Sequence, residues 1–181
     1  WKQWSFEKLQ WAIKYAIHIW FKVSTNTVIC KQNQESIARI VNQINTQFPW
    51  IVEVSFCNIE VNYTHKMDYE KKRFMFTNLD KIKKSIHKIK YDNVSIDNLP
   101  LCIFGEDTIK YAVLDRRDEQ NKLDFEKWKI EKINFKLKWE ICKQCTMTKY
   151  CKWVFPYFDG EKIKPFTTDI ISKSHLLNKY G

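Results

Sequence analysis

The sequence predicts an α/β protein in which helices alternate with parallel strands, followed by a small cysteine-rich segment. Apolar residues at three- and four-residue steps alternate with short runs rich in β-branched residues, which indicates helices between strands. Three of the six cysteines are crowded near the end of the chain in a C-x2-C-x5-C spacing. Only three glycines and four prolines occur in 181 residues, which leaves little material for the tight turns of an all-β fold.

The first half of the chain predicts a βαβ unit. Residues 5–20 have the apolar spacing of a helix, and the β-branched run at 21–29 predicts a strand. Asn33 is the predicted cap of a second helix, which Pro49 prevents from continuing. A second strand is predicted at 51–56. Two strands joined through a helix of about fifteen residues are expected to be parallel and right-handed.

The second half is less regular. Residues 57–77 lack a clean period and predict a long loop. Asn78 is the predicted cap of a third helix, whose inward face comprises Leu79, Ile82, Ile86 and Ile89. A short strand and a proline-bounded turn then lead to Cys102, and a charged connector follows. Residues 133–139 alternate apolar and polar side chains, which predicts a half-buried strand leading to Cys142.

The charge of the chain raises the question of an anionic partner. The formal net charge is +10, from 31 Lys and Arg against 21 Asp and Glu. The lysines are scattered along helix faces, where a solvated surface explains most of them, so nucleic acid is not the expected partner. Lysines and a glutamate interrupt the apolar N-terminal segment, so no membrane association is expected either. Six cysteines without a signal peptide favour a reducing, cytoplasmic location.

The cysteines predict a metal site. Two residues separate Cys142 from Cys145, which lets both thiolates reach one metal centre, and Cys151 is close enough to join them. Cys102 is the candidate fourth ligand. Zinc and an iron-sulfur cluster both use such spacings, and the plain alternative is that the thiols are small buried side chains. Packing is the expected role of Cys30 and Cys57, which the sequence places just after two strands. The alternative is that they approach the mouth formed by the strand ends.

The order of elements resembles a known family. The stretch SFEKLQWAIKYAIHIWFKVSTNTVICKQNQESIARIVNQI, followed by VEVSF, is similar to the later part of the barrel of radical S-adenosylmethionine (radical SAM) enzymes. LPLCIFG and KWEICKQCTMTKYCKWVFPYFDGEKIKP resemble the auxiliary-cluster extension, of twitch or SPASM type, that many members carry. The resemblance implies a partial TIM-like (βα) barrel at residues 1–97 and an auxiliary-cluster extension at 98–181. Lys152 and Trp153 depart from the glycine that often follows the last cysteine.

The resemblance also implies cofactors and ligands. An auxiliary [4Fe-4S] cluster would bind Cys102, Cys142, Cys145 and Cys151, and zinc is the alternative metal. By the same resemblance, Ser24, Asn26 and Ser55 would face S-adenosylmethionine or substrate at the barrel mouth. If the strand parity is reversed, they instead face helices.

The family's C-x3-C-x2-C loop, which binds the cluster that cleaves S-adenosylmethionine, is absent from this chain. The resemblance therefore implies that a missing N-terminal barrel half or a completing partner supplies radical initiation, and that this chain alone is not catalytic. The substrate could be a peptide or a small molecule. Without the preceding strands, the strand at 21–29 is expected to have an open edge, with Trp4, Trp11 and Tyr15 uncovered, and to aggregate or pair through that edge.

A second hypothesis follows from the cysteines and the charge alone. A non-enzymatic zinc or iron-sulfur module could bind nucleic acid or a protein partner through the basic surface. The metal bound by the thiols distinguishes the two hypotheses.

Overall fold

A computed structural model describes residues 3–59, 75–113, 140–147, 150 and 151. The helices and strands of these residues are α1 (Gln3–His18), β1 (Ser24–Ile29), α2 (Ile37–Gln47), β2 (Glu53–Asn58), α3 (Leu79–Ile86) and β3 (Val94–Asp97). Short 3-10 helices lie at Leu101–Ile103, Ile109–Tyr111 and Glu140–Gln144. The predicted strand at 133–139, residues 60–74 of the predicted long loop and the charged connector beyond residue 113 lie outside the described residues.

The three strands form one parallel sheet in the order β1-β2-β3. Asn26 is paired with Ser55, and Ser55 in turn with Ser95, so successive strands are in direct register. The prediction of an α/β protein with a parallel βαβ unit is therefore confirmed. Within the described residues the sheet is open and is not closed into a barrel.

The connection between α1 and β1 explains why both elements differ from their predicted bounds. The N–H of Trp20 donates to the carbonyl of Ile17, and the N–H of Phe21 donates to the carbonyl of Ala16. These bonds, with Trp20 at a positive φ of 66°, form a Schellman motif that ends the helix. The helix therefore stops at His18, and β1 begins at Ser24 rather than at residue 21.

The predicted cap of α2 is wrong, whereas that of α3 is confirmed. α2 begins at Ile37, with Ser36 at the N-cap position. Asn33 lies in the preceding turn, where its side chain bonds backbone groups of Val28 and Cys30. The strand end thus competes with the helix for the same amide side chain. The side chain of Asn78 accepts a hydrogen bond from the Lys81 N–H, as a cap should.

The core lies on one face of the sheet. Alternate residues of the strands are buried there, and α2 and α3 pack over them. The core continues past β3 into the segment at 99–112 and into Met147, which has no exposed surface. Its most completely buried large side chains are Phe56, Ile29, Ile37, Ile82, Ile86, Ile96, Leu101, Met147 and Val41. In the described part of the chain, no helix combines the length and the apolar character that crossing a membrane would require.

Candidate thiol centre and polar sheet face

Cys102 lies just beyond the carboxyl end of β3. Pro100, with φ of −67° and an extended ψ, leads into the 3-10 helix at Leu101–Ile103. Leu101 and Ile103 are buried in the core, whereas Cys102 between them is only partly buried. The two aliphatic side chains of the sequence L-C-I therefore anchor the short helix in the core, and the thiol between them is left partly exposed.

The other three cysteines belong to one compact segment. Cys142 lies in the 3-10 helix at Glu140–Gln144, and its carbonyl accepts a hydrogen bond from the Cys145 N–H at 3.2 Å. The carbonyl of Met147 accepts from the N–H groups of Tyr150 and Cys151, at 3.0 and 3.1 Å. Because the Met147 side chain is buried in the core, this turn is attached to the rest of the fold.

The other three cysteines influence the Cys102 thiol. Burial is the main cause of a raised pKa at the Cys102 thiol, and like-charge repulsion from three other thiols raises the pKa further. Those thiols belong to Cys151, Cys142 and Cys145. Cys142, Cys145 and Cys151 therefore lie within electrostatic range of Cys102. No disulfide forms among the six cysteines, all of which are described.

The donor set suits a thiolate-bound metal. Four cysteine thiols match both a tetrahedral zinc site and the ligand set of a [4Fe-4S] cluster. In the arrangement of the described residues, no three or more His, Cys, Asp or Glu side chains form a group that could hold a metal ion. Metal binding is commonly coupled to local folding, so loading of this site would require the thiols to draw closer together.

The second candidate region is the face of the sheet opposite the core. Ser24, Asn26 and Ser55 share this face, so their side chains point away from the helix layer. Ser24 and Asn26 are exposed, and Ser55 is partly buried. The hydroxyl oxygens of Ser55 and Ser95 lie 2.9 Å apart, within hydrogen-bonding distance.

The polar face extends to residues that the sequence interpretation did not select. Ser95 and Asp97 lie on it through the alternation of V-S-I-D, a period-two signal that was available in the sequence. The Asn98 side chain donates a hydrogen bond to Sγ of Cys57 at 3.1 Å. The carboxylate of Asp97 accepts from the Asn98 N–H at 2.6 Å. Cys57 therefore lies in this polar row and not among the buried core residues.

Cys30 is the sixth cysteine. It follows the last residue of β1, and its N–H donates to the Asn33 side chain at 2.8 Å. Its thiol is not among those that raise the pKa of Cys102. The thiol centre follows the carboxyl end of β3, where ligands of α/β sheets commonly bind. On the polar face, Cys57 and Asp97 lie near the carboxyl ends of their strands, whereas Ser24 lies at the amino end of β1 and not at the barrel mouth that the resemblance implied.

The comparisons with known proteins identify no family: no family model matches the chain, and no curated protein or solved structure is significantly similar to it.

Proposed function

We propose that the chain is the C-terminal portion of a radical SAM enzyme and that Cys102, Cys142, Cys145 and Cys151 hold an auxiliary [4Fe-4S] cluster. The observation that carries the proposal is the common neighbourhood of these thiols. The thiol of Cys102 follows β3, whereas the others come from a segment some forty residues further along the chain. Thiols from two separate segments of the chain would supply the donor set that a thiolate-bound cluster requires.

The polar sheet face supports a ligand-binding role. A parallel sheet with helices on one face and hydroxyl and amide groups on the other resembles a part of a (βα) barrel, whose ligands bind at the carboxyl-terminal end of the barrel. Asn26 and Ser55 would then face S-adenosylmethionine or substrate once the barrel is complete. Peptides and small molecules are both candidate substrates.

The residues have separate tasks in this proposal. The four cysteines would bind the cluster, which when present supplies one-electron transfer. A cluster held by Cys142, Cys145 and Cys151 alone would leave one iron open to bind substrate. The N–H of Leu101 already donates to the sulfur of Cys151, and such bonds to ligand sulfurs tune the potential of a cluster. Radical initiation would belong to a missing N-terminal barrel half or a completing partner.

The second candidate function is a non-enzymatic zinc or iron-sulfur module. It is favoured by the donor set, because four thiolates hold zinc equally well, and by the net charge of +10, which would attract an acidic partner such as nucleic acid or a protein. In this case the polar sheet face would have no cofactor to bind.

Metal analysis tests the proposal. The chain is purified without oxygen, and iron, acid-labile sulfide and zinc are measured per chain. We expect a brown protein with about four irons and four sulfides, as a [4Fe-4S] cluster requires. A colourless protein with about one zinc would exclude the cluster and support the second candidate.

A separate test addresses the family. The coding sequence upstream of Trp1 is determined, and a C-x3-C-x2-C motif is expected in it or in a protein that co-purifies with the chain. If a cluster forms but neither source contains such a motif, the thiol centre stands and the radical SAM assignment fails.

A further inference from the structure

One edge of the sheet differs from the other. On the outer side of β3, Ala112 forms an isolated parallel bridge with Ile96, and the Val113 N–H donates to the Ile96 carbonyl at 3.0 Å. On the outer side of β1, no strand is present among the described residues. β1 is therefore the uncovered edge of the described sheet.

The backbone groups along this edge can be assigned from the hydrogen bonds to β2. The Ile59 N–H donates to the carbonyl of Ile29, so the odd-numbered residues of β1 point toward β2. N–H and C=O groups alternate in direction along a strand, so those of Ser24, Asn26 and Val28 point outward.

Asn33 closes the carboxyl end of this edge. Its side-chain nitrogen donates to the Val28 carbonyl at 2.8 Å, and its side-chain oxygen accepts from the Cys30 N–H at 2.8 Å. The amide of Asn33 thus takes the place of one residue of a neighbouring strand. The uncovered part of the edge runs from Ser24 to the N–H of Val28.

The sequence of β1 lacks the residues by which proteins commonly protect an edge strand. Its sequence STNTVI contains no proline, no glycine and no charged residue, and its register with β2 continues without a bulge. Edge strands that do not receive another strand commonly carry such features. An edge with this sequence is suited to pairing with a further strand.

The residues just before β1 indicate what covers it. Trp20 and Phe21 are 93% and 66% exposed, and Lys22 is exposed beside them. A partner would need apolar side chains for the two rings and an acidic residue for the lysine. Lipid cannot satisfy outward-pointing backbone groups, and two copies of a chain with a net charge of +10 repel each other.

We propose that the outer edge of β1, from Ser24 to Val28, receives a β-strand from a polypeptide partner that carries acidic residues near Lys22. Main-chain hydrogen bonds would supply the affinity, and the apolar and acidic side chains beside Trp20 would supply the specificity. The inference requires only the sheet, so it can fail while the thiol centre stands, and the reverse also holds. In the proposed radical SAM enzyme, the strand on this edge would belong to the completing barrel half.

Amide hydrogen exchange of the full chain, followed residue by residue by NMR, tests the inference. The probe is a synthetic peptide of about ten residues, with alternating Val and Thr and a Glu at each end, added at about 1 mM. We expect exchange at Ser24, Asn26 and Val28 to slow about tenfold. Thr25 and Thr27, which already point toward β2, should change little.

Two variants and a second peptide serve as controls. Asn26→Pro removes one outward N–H and leaves the bonds to β2 intact, so Ser24 and Val28 should lose the protection. Ser24→Pro, at the first position of the strand, is the alternative if the first variant does not fold. A peptide with Lys in place of Glu should protect less.

Four results would overturn the inference. They are no slowing with the acidic peptide, equal slowing with the lysine peptide, equal slowing in the proline variants, and protection of the outward amides without any peptide. In the last case, protection that rises with protein concentration would assign the edge to a second copy. Protection independent of concentration would assign it to another part of the same chain.

Discussion

The backbone N–H of Leu101 donates a hydrogen bond to Sγ of Cys151 at 3.3 Å, across fifty positions of the sequence. Leu101 is buried in the core, and Cys151 is attached to the same core through the turn at Met147. Two independently anchored segments thus bring a sulfur beside the residue that precedes Cys102. The packing of the Leu101 and Met147 side chains in the core therefore helps to bring the thiol centre together.

Replacement of Cys145 by serine should remove most of the bound iron. A hydroxyl is a far weaker ligand for iron than a thiolate, and a cluster with three protein ligands is more easily lost. Iron and acid-labile sulfide per chain, measured after anaerobic reconstitution, provide the readout, together with the visible absorption of the cluster.

Cys30→Ser is the matched control for this substitution. Cys30 is also partly buried, but it follows the last residue of β1. The iron content of this variant should equal that of the unmodified chain. A loss of iron in Cys30→Ser with retention in Cys145→Ser would show that the ligand assignment is wrong.

In the metal-free chain, Cys102 should react slowly with iodoacetamide. Its raised pKa leaves little thiolate at neutral pH, and the thiolate is the reactive form. Since the shift is upward, the rate should keep rising through about pH 10 without a plateau. Mass spectrometry of peptides sampled over time measures the rate, with Cys30 in the same sample as the internal reference.

Unfolding in urea provides the control for the reactivity of Cys102. The raised pKa arises from burial and from the other thiols, so the two cysteines should react at similar rates once the chain is unfolded. A Cys102 that reacts as fast as Cys30 in the folded, metal-free chain would contradict the described arrangement.

The sheet could be predicted from local patterns, whereas the bounds of its elements could not. The alternation in VEVSF and the apolar spacing of Ile37, Val41 and Ile44 depend only on which side chains must be buried, and this is visible in the sequence. Asn33 was misassigned because its amide could satisfy either a helix start or a strand end. In the structure the Asn33 side chain bonds the Val28 carbonyl on the outer edge of β1. Which backbone groups remain unpaired on that edge depends on tertiary structure, which the local sequence does not reveal.

The candidate site could be predicted only in part, for a related reason. The C-x2-C-x5-C spacing is local and identifies three thiols, but the approach of Cys102 depends on how Leu101 and Met147 pack. The polar face of the sheet could be predicted only in part. Ser55 was selected from its own strand, but Ser95 becomes its partner only through the register of two strands that are forty residues apart.

Gly105→Ala should destabilise the fold by about 1 kcal/mol, at the low end of the range for overpacking. A Cβ at this position would lie 2.9 Å from the Asp107 side-chain oxygen and 2.9 Å from Cε1 of His87. Asp107 is exposed and can move, so most of the cost should come from the His87 ring. Urea unfolding of the single variants and of Gly105→Ala combined with His87→Ala measures the effect. The double variant should recover most of the loss that Gly105→Ala causes, and strict additivity would rule out the ring contact.

Trp20→Gly should stabilise the isolated chain by about 0.5–1 kcal/mol, because Trp20 occupies a left-handed backbone position that costs a residue with a Cβ about 1 kcal/mol or more. The indole is 93% exposed, so its removal sacrifices almost no buried surface. Glycine is also the residue that most often ends a helix in this conformation. The urea midpoint should rise with an unchanged slope.

Trp50→Gly is the matched control, since Trp50 is 77% exposed and has no positive φ, and it should bring no gain. An equal gain in both variants would mean that removal of an exposed indole, and not relief of the backbone at Trp20, is what stabilises the chain.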